Sequence, residues 1–418
     1  MKARAEITTR YAKAYRTASK KDRGRLLDEV VAVTGWSRDN ARRRLAEAAR
    51  SRPGVGRVVA KRARKPRAPK YSYEARTVLQ RVWAASGGQC GKYLAVALPD
   101  LLDALERHGE LADGIDRYSP AVRAELLLMS AATIDRYLAP ARARDQLRGK
   151  ATTTPSALLR SAITIRKAGD EVEAEPGFFE GDTVAHCGPT LKGEFARTVN
   201  LTDVHLGWVF TRSIRNNAHT HVLGALQRAD AEIPFGIVGL DFDNGSEFLN
   251  HPVVGWAGQR GIYFTRSRPY KKNDQATVES KNNHLVRRYA FYYRYDTPAE
   301  LAVLNRLWPL VNDRLNFFTP TKKPIGWSAD RAGRRRRICD QPRTPFQRLL
   351  DAGILSPAQQ AELTAYRDSL NPADLARRIH AEQQMLIKLA KDKTDQLHVA
   401  ALKPLPDTSR GVRLRHTS

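Results

Sequence analysis

Between Phe178 and Phe318 the chain is built from short runs rich in β-branched and aromatic residues, each bounded by turn-forming residues. GFFEGDTVA, ARTVNLTDV and GWVFTRS follow one another closely. FGIVGLD and IYFTRS are set apart by stretches with helical apolar spacing, HVLGALQRADAE and HPVVGWAGQRG, and DQATVESKNNHLVRRYAFY adds a further helix. Antiparallel neighbours need only short turns, whereas parallel ones need a crossover. Strands that first meander and then alternate with helices therefore predict an α/β domain with a mixed sheet.

The flanks have a different texture. RLLDEVVAVTGWSRDNARRRL places Leu26, Leu27, Val30 and Val31 at helical spacing, then Gly35, then Ser37 as the cap of a second helix carrying Arg42, Arg43 and Arg44. Helix, glycine turn and capped basic helix is the order of a helix-turn-helix, although an ordinary basic helical hairpin has the same pattern. LLLMSAATIDRYLAPAR repeats the grammar, with Ser130 as cap and a helix bearing Arg136 and Leu138 that is expected to stop near Pro140. The expected division is a helix-turn-helix domain over 1–52, a basic linker over 53–70, a second helical domain over 71–147 and a second linker over 148–176. The α/β core then spans 177–318, a basic loop 319–345 and a mostly helical region 346–418. In the last region one helix is entered by Ser356-Pro357 with Gln359 at the capping-box position, and a longer one follows Asn371-Pro372.

Charge narrows the class of partner. The formal net charge is +27, and residues 1 to 70 hold 22 Lys and Arg against 6 Asp and Glu, a local excess of +16. An excess of that size repels itself unless a polyanion is the partner, and nucleic acid is the first expectation. A membrane is not expected: no run of about 18 apolar residues occurs, and MKARAEITTRYAKAYR lacks the apolar core of a signal peptide. The expected location is the cytoplasm. The three cysteines, Cys90, Cys187 and Cys339, are far apart and form neither a disulfide framework nor a zinc-binding pattern.

Three acids stand at telling places. Asp182 lies in the first strand run, Asp243 follows the fourth, and Glu279 lies near the start of a helix, with 60 and 35 residues between successive members. Strand alternation puts Asp241 and Asp243 on one face, so either can reach a shared metal. Carboxylates at a strand centre, a strand end and a helix start can converge at the edge of a mixed sheet. Their mutual repulsion calls for bound cations, as in phosphodiester transfer with two Mg²⁺ (or Mn²⁺) ions. Glu180 and Asp203 read as bystanders. His186, four residues past Asp182, reads either as a group touching the nucleophile or phosphate, or as a hydrogen-bonded structural histidine. Arg266, Arg268, Lys271 and Lys272 lie in the loop before the helix of Glu279, and Arg287 about two turns beyond it; phosphate contacts or a solvated charge run both fit.

The spacing, with D-N-G-S-E-F around Asp243 and N-D-x-A-x-V-E-x-x-N around Glu279, resembles the DDE transposases and retroviral integrases. It is closest in wording to bacterial insertion-sequence transposases with an integrase-type core, over about Phe178 to Phe318. The chain departs from a related pattern only at Gln275-Ala276-Thr277, where Asn-Ala is frequent, and it has no HHCC zinc module before the core. The resemblance implies an RNase H-like core with a five-stranded mixed sheet. It implies Asp182, Asp243 and Glu279 as ligands of two Mg²⁺ or Mn²⁺ ions, and attack first by water at the element's end and then by the freed 3′-hydroxyl on target DNA. Asn244, with Gly245 and Ser246, falls on the turn presenting Asp243. Asn282 falls on the asparagine three residues after the Glu, and Asp241 becomes a supporting neighbour. The implied partners are double-stranded DNA, as terminal inverted repeats and as target, and further copies of the chain, with no membrane and no small-molecule substrate; the implied location is the bacterial nucleoid. Two other classes fit the same residues: a non-catalytic DNA-binding regulator derived from a transposase, and an RNase H-like nuclease that cuts without joining.

Overall fold

The computed structural model describes residues 2–48, 69–144, 165–166, 175–242, 248, 250–267, 282–329 and 335–401. They fall in two compact units, Met1–Pro69 and Lys70–Ser418. In the first, α1 (Lys2–Thr17), α2 (Lys20–Thr34) and α3 (Arg38–Ala48) enclose a small core of Leu27, Val30, Ala41 and Leu45, with Tyr11, Tyr15, Val31 and Trp36 around it. Helix α2 ends where Gly35 adopts the left-handed conformation, φ 68°, and returns its N–H to the Val31 carbonyl. That conformation costs a glycine nothing and any β-branched residue a good deal. Ser37 then accepts from the Asn40 N–H at 3.4 Å at the start of α3.

The second unit begins with α4 (Tyr73–Ala85), α5 (Gly91–Arg107), α6 (Pro120–Leu127) and α7 (Ala131–Arg144). Helix α7 does not stop near Pro140 but runs through it to Arg144. An interior proline costs about 3 kcal/mol. Here Ile134 and Leu138 are fully buried, and Arg142, beyond the proline, donates to Asp135 at 2.6 Å and to the Gln89 carbonyl at 3.1 Å, so tertiary contacts hold both sides of the interruption.

The sheet consists of β2 (Phe178–Ala185), β3 (Arg197–Asp203), β4 (Val209–Ile214), β5 (Gly239–Phe242) and β6 (Tyr263–Ser267), with a two-residue β1 (Ile165–Arg166) at one edge. The order is β1-β6-β5-β2-β3-β4. Strands β2, β3 and β4 form the expected antiparallel meander. Strand β5 then lies parallel to β2 and β6 parallel to β5, reached through α8 (His219–Glu232) and α9 (His251–Gln259). Five strands in this order and sense are an RNase H-like core. Strand β1, parallel to β6, is an addition from a segment expected to be linker. On one face Phe179 stacks on Phe235 and Phe242 on Phe248. The Phe242 ring of β5 lies across Gly181 of β2, so that a β-carbon on Gly181 would stand 2.1 Å from it.

Helix α10 is a π-helical turn, Asn282–Arg287, running into a short α-helical end, Arg288–Ala290. Helix α11 (Pro298–Phe318) closes the β4 edge with two side-chain amides that mimic a neighbouring strand. Asn316 exchanges both bonds with Val209 at 2.9 Å, and Asn305 both with Ser213 at 3.0 Å. Such covering removes an edge that would otherwise invite pairing with another chain.

The segment expected to be a basic loop, 319–345, instead carries an antiparallel ribbon, β7 (Pro324–Ala329) and β8 (Arg335–Cys339), which forms a sheet of its own. Helices α12 (Pro345–Ala352), α13 (Pro357–Ser369) and α14 (Pro372–Ala401) follow. The capping box of Ser356 and Gln359 is formed as the sequence predicts. Helix α14 buries Leu375, Ile379, Leu386 and Ala390 in the core that also contains Leu304, Trp308 and Val311 of α11. No described helix is long and apolar enough to cross a membrane.

Candidate active site

The register gives the sheet a second, polar face. Glu180 and Asp182 share it with Thr198, Asn200 and Thr202 of β3, Thr211 and Ser213 of β4, Asp241 of β5 and Thr265 of β6. All but Asp182 are buried. Burying so many polar groups is unfavourable unless they are bonded. A run of 2.7 Å bonds links His186 Nε2 to Thr198 Oγ1, Thr198 to Ser213, and Trp308 Nε1 to Ser213 Oγ. Thr265 Oγ1 donates to Asp241 Oδ1 at 2.7 Å. Asn200 Oδ1, Thr202 Oγ1 and Thr211 Oγ1 are buried atoms of this face that have no partner among the described residues.

Asp182, partly exposed in the middle of β2, is the member of this face, among the described residues, that reaches solvent. Its Oδ1 accepts from the Thr183 N–H at 2.7 Å and its Oδ2 from Asn282 Nδ2. Asn282 is held from the other side as well, its Oδ1 accepting from Asn200 Nδ2 at 3.3 Å. Five residues on, Arg287 Nη2 donates to the Ala185 carbonyl at 2.8 Å and its guanidinium lies 4.8 Å from the Tyr292 ring centroid. Helix α10 is thus tied to β2 at two places while Leu285 and Val286 anchor it in the core. A π-helical turn spaces contact residues five apart rather than four, and such turns are frequent at functional sites.

Of the sequence-predicted residues, the structure brings Asp182 and Asn282 into direct contact. Asp241 lies on the same face, fully buried, as the register partner of Glu180. Arg266 lies in β6 in register with Phe242 and Ile165. Asp243, Asn244, Arg268, Lys271, Lys272 and Glu279 lie outside the described residues. His186 is fully buried and bonded to Thr198; burial, and then the charge of Arg287, hold its pKa well below the usual 6.5, so the ring is neutral. Arg287, expected to meet DNA, has its guanidinium bonded to β2, and burial lowers its pKa. Asp203 closes the β3–β4 turn, accepting from Gly177 N at 2.7 Å and Leu206 N at 2.5 Å, and burial pushes its pKa up to about 7.

The sequence sets Glu180 aside as a bystander and does not single out Asn200, yet both belong to this face. Glu180 is separated from Asp182 by one residue, so strand alternation alone was a sufficient signal for it. Asn200 becomes visible only once the β2–β3 register pairs it with Asp182.

Among the described residues no group of three or more His, Cys, Asp and Glu is placed to hold a metal ion. The described acids of the face are Asp182, Glu180 and Asp241, oxygen donors only, with Asp182 half-exposed. That chemistry fits a hard divalent cation such as Mg²⁺ and not a nitrogen- or sulfur-seeking metal.

The predicted DNA-contacting arginines outside the core are at the surface. Arg42, Arg43 and Arg44 are exposed on α3, with Arg42 bonded to Asp39 and Arg43 to Asn40. Arg136 is exposed on α7 and donates to Thr133 Oγ1 at 3.1 Å.

No family model matches the chain. It is 39% identical over 325 residues, 77% of its length and 88% of the relative's, to the uncharacterized protein y4rM of Sinorhizobium fredii (strain NBRC 101917 / NGR234). Among solved structures, the catalytic core domain of BIV integrase aligns with 46% of this chain and 98% of its own at 19% identity, with a TM-score of 0.29.

Proposed function

The chain belongs to the same family as the Sinorhizobium fredii protein, and we propose that it is a DNA transposase whose RNase H-like core cuts DNA ends and joins them to target DNA. The observation that carries this reading is the placement of Asp182. It is the half-exposed carboxylate of an otherwise buried polar face, on the central strand of the sheet, held in one orientation by Asn282. Asp243 and Glu279 complete the acidic set. Asp243 follows Asp241 by two residues, just as Asp182 follows Asp241's register partner Glu180 by two.

In this reading the three carboxylates hold two Mg²⁺ or Mn²⁺ ions, which when bound stabilise the attacking and leaving oxygens of an in-line displacement. The chain's own groups position them. The Thr183 amide and Asn282 fix both Asp182 oxygens, so the carboxylate is oriented before substrate arrives. The first unit, through Arg42, Arg43 and Arg44, and α7, through Arg136, contact terminal-repeat DNA; Arg268, Lys271 and Lys272 contact phosphates beside the scissile bond. Joining two element ends requires both to be held at once, so the active form is an oligomer.

The test is incubation of the purified chain with Mg²⁺ and labelled DNA ends carrying the terminal repeats. Joined product supports the proposal. Cut but unjoined product reduces it to a nuclease, and binding without product to a regulator. The same assay with Asp182→Asn must give binding and no product.

A further inference from the structure

The ribbon of β7 and β8 takes no part in the site described above. Its exposed positions lie on both faces: Ile338 and Cys339, adjacent in β8, are both exposed, as are Ser328 and, at 65%, Ile325 in β7. A two-stranded ribbon with exposed residues on both faces is marginal by itself. This one is braced at its base. Thr321 and Arg343 exchange backbone bonds at 2.9 and 3.1 Å. The Lys323 N–H donates to Asp340 Oδ1 at 2.7 Å and the Asp340 N–H to the Lys323 carbonyl at 2.9 Å. Arg348 of α12 binds Asp340 and donates to the Thr321 carbonyl at 2.7 Å.

Its charge is as unusual as its exposure. Residues 319–345 contain eight Lys and Arg against two Asp, a net +6. Arg335, Arg336 and Arg337 occupy successive positions of β8, in register with Ala329, Ser328 and Trp327. Three adjacent cations with no acid between them are unfavourable in an isolated ribbon, and a polyanion relieves that repulsion. A two-stranded ribbon is also one of the elements that the major groove of B-DNA, about 12 Å wide, admits.

We propose that β7 and β8 form a DNA-gripping arm that binds duplex phosphates through Arg335, Arg336 and Arg337 without regard to base sequence. The choice of DNA as the polyanion rests on the transposase reading; the brace, the exposure and the charge do not. Binding of the full-length chain to a labelled duplex of arbitrary sequence, measured in EDTA across a salt series, tests it. The triple variant Arg335→Ser, Arg336→Ser, Arg337→Ser is expected to lower the steepness of log K against log salt by about 2.7, at about 0.9 per phosphate contact. The corresponding triple Arg→Lys variant keeps the wild-type slope, and Arg336→Ser alone, the check against misfolding of the triple variant, loses about 0.9. An unchanged slope in the serine variants overturns the proposal. So does a slope that is unchanged for DNA while binding to vesicles of anionic phospholipid is lost. Because the readout needs neither metal nor cleavage, a wild-type chain that makes no product but shows the arginine-dependent slope sinks the transposase reading and leaves the arm. A chain that cuts DNA with an unchanged slope does the reverse.

Discussion

Phe242 lies across Gly181, the residue before Asp182, so closely that an added β-carbon would meet its Cε1 at 2.1 Å and Leu201 Cδ2 at 2.9 Å. The same ring stacks on Phe248 with centroids 3.9 Å apart. Phe242 and Phe248 bracket residues 243–247, so this aromatic pair joins the two ends of the segment containing Asp243 to the strand containing Asp182. Gly181→Ala is expected to destabilise the fold by about 1–3 kcal/mol, the usual cost of overpacking a filled core. Phe242→Leu in the same chain should recover part of the loss. Urea denaturation of the three variants measures both, and additive losses in the double variant would show that the two residues do not compete for the same space.

Under the proposed function, Asn282, which donates to Asp182 Oδ2, acts as a positioning residue for that carboxylate. Removing an outer hydrogen-bond partner of a metal-binding group typically costs about 10–100-fold in activity. Asn282→Ala should therefore lower cleavage by about that factor and raise the Mg²⁺ concentration needed for half-maximal rate. Asn282→Asp, which sets a second carboxylate against Asp182, should lower it further. A merely structural role would reduce stability in both variants without moving the Mg²⁺ dependence, so a metal titration decides.

Asp241 and Asp243 are separated by a single residue but receive opposite predictions. Asp243→Asn is expected to abolish strand transfer and leave terminal-repeat binding intact. Asp241, fully buried and bonded to Thr265, belongs to the support of the face. Asp241→Asn should cost about 1–3 kcal/mol of stability, as for a disturbed buried hydrogen bond, and retain Mg²⁺-dependent cleavage. Full activity in Asp243→Asn together with none in Asp241→Asn would reverse the assignment.

Much of the core was legible because strand alternation and turn signals are local. The five strand runs of the core fall where GFFEGDTVA, ARTVNLTDV, GWVFTRS, FGIVGLD and IYFTRS predicted them. The ribbon at 324–339 was not legible, since an arginine run has little β-propensity and its pairing is fixed by Thr321, Arg343, Asp340 and Arg348 at its base. Pro140 misled for a similar reason: the bonds that carry α7 past it run from Arg142 to Asp135 and to Gln89, the second of them 53 residues away. At the candidate site, the motif singles out Asp182 and Asn282, and the structure places the two in contact. The polarity of the whole face, with Glu180 and Asn200 in it, emerges only from the register between strands.

Two buried groups give the stability of the core opposite dependences on pH. Burial holds the folded pKa of His186 well below its ordinary 6.5, so the unfolded chain binds the extra proton first. Its contribution is full above about pH 6.5 and is lost as pH falls below that value. Asp203 runs the other way: burial raises its folded pKa to about 7 from an ordinary 3.8, so its contribution is full below pH 3.8 and is lost as pH rises through 7. Between these limits the two oppose each other, and single variants should separate them. His186→Gln keeps only the Asp203 effect, and its stability relative to wild type should improve as pH falls from 7 to 4. Asp203→Asn keeps only the His186 effect and should worsen over the same range. Urea midpoints at several pH values read both slopes, and slopes of the same sign in the two variants would refute the assignment of either group.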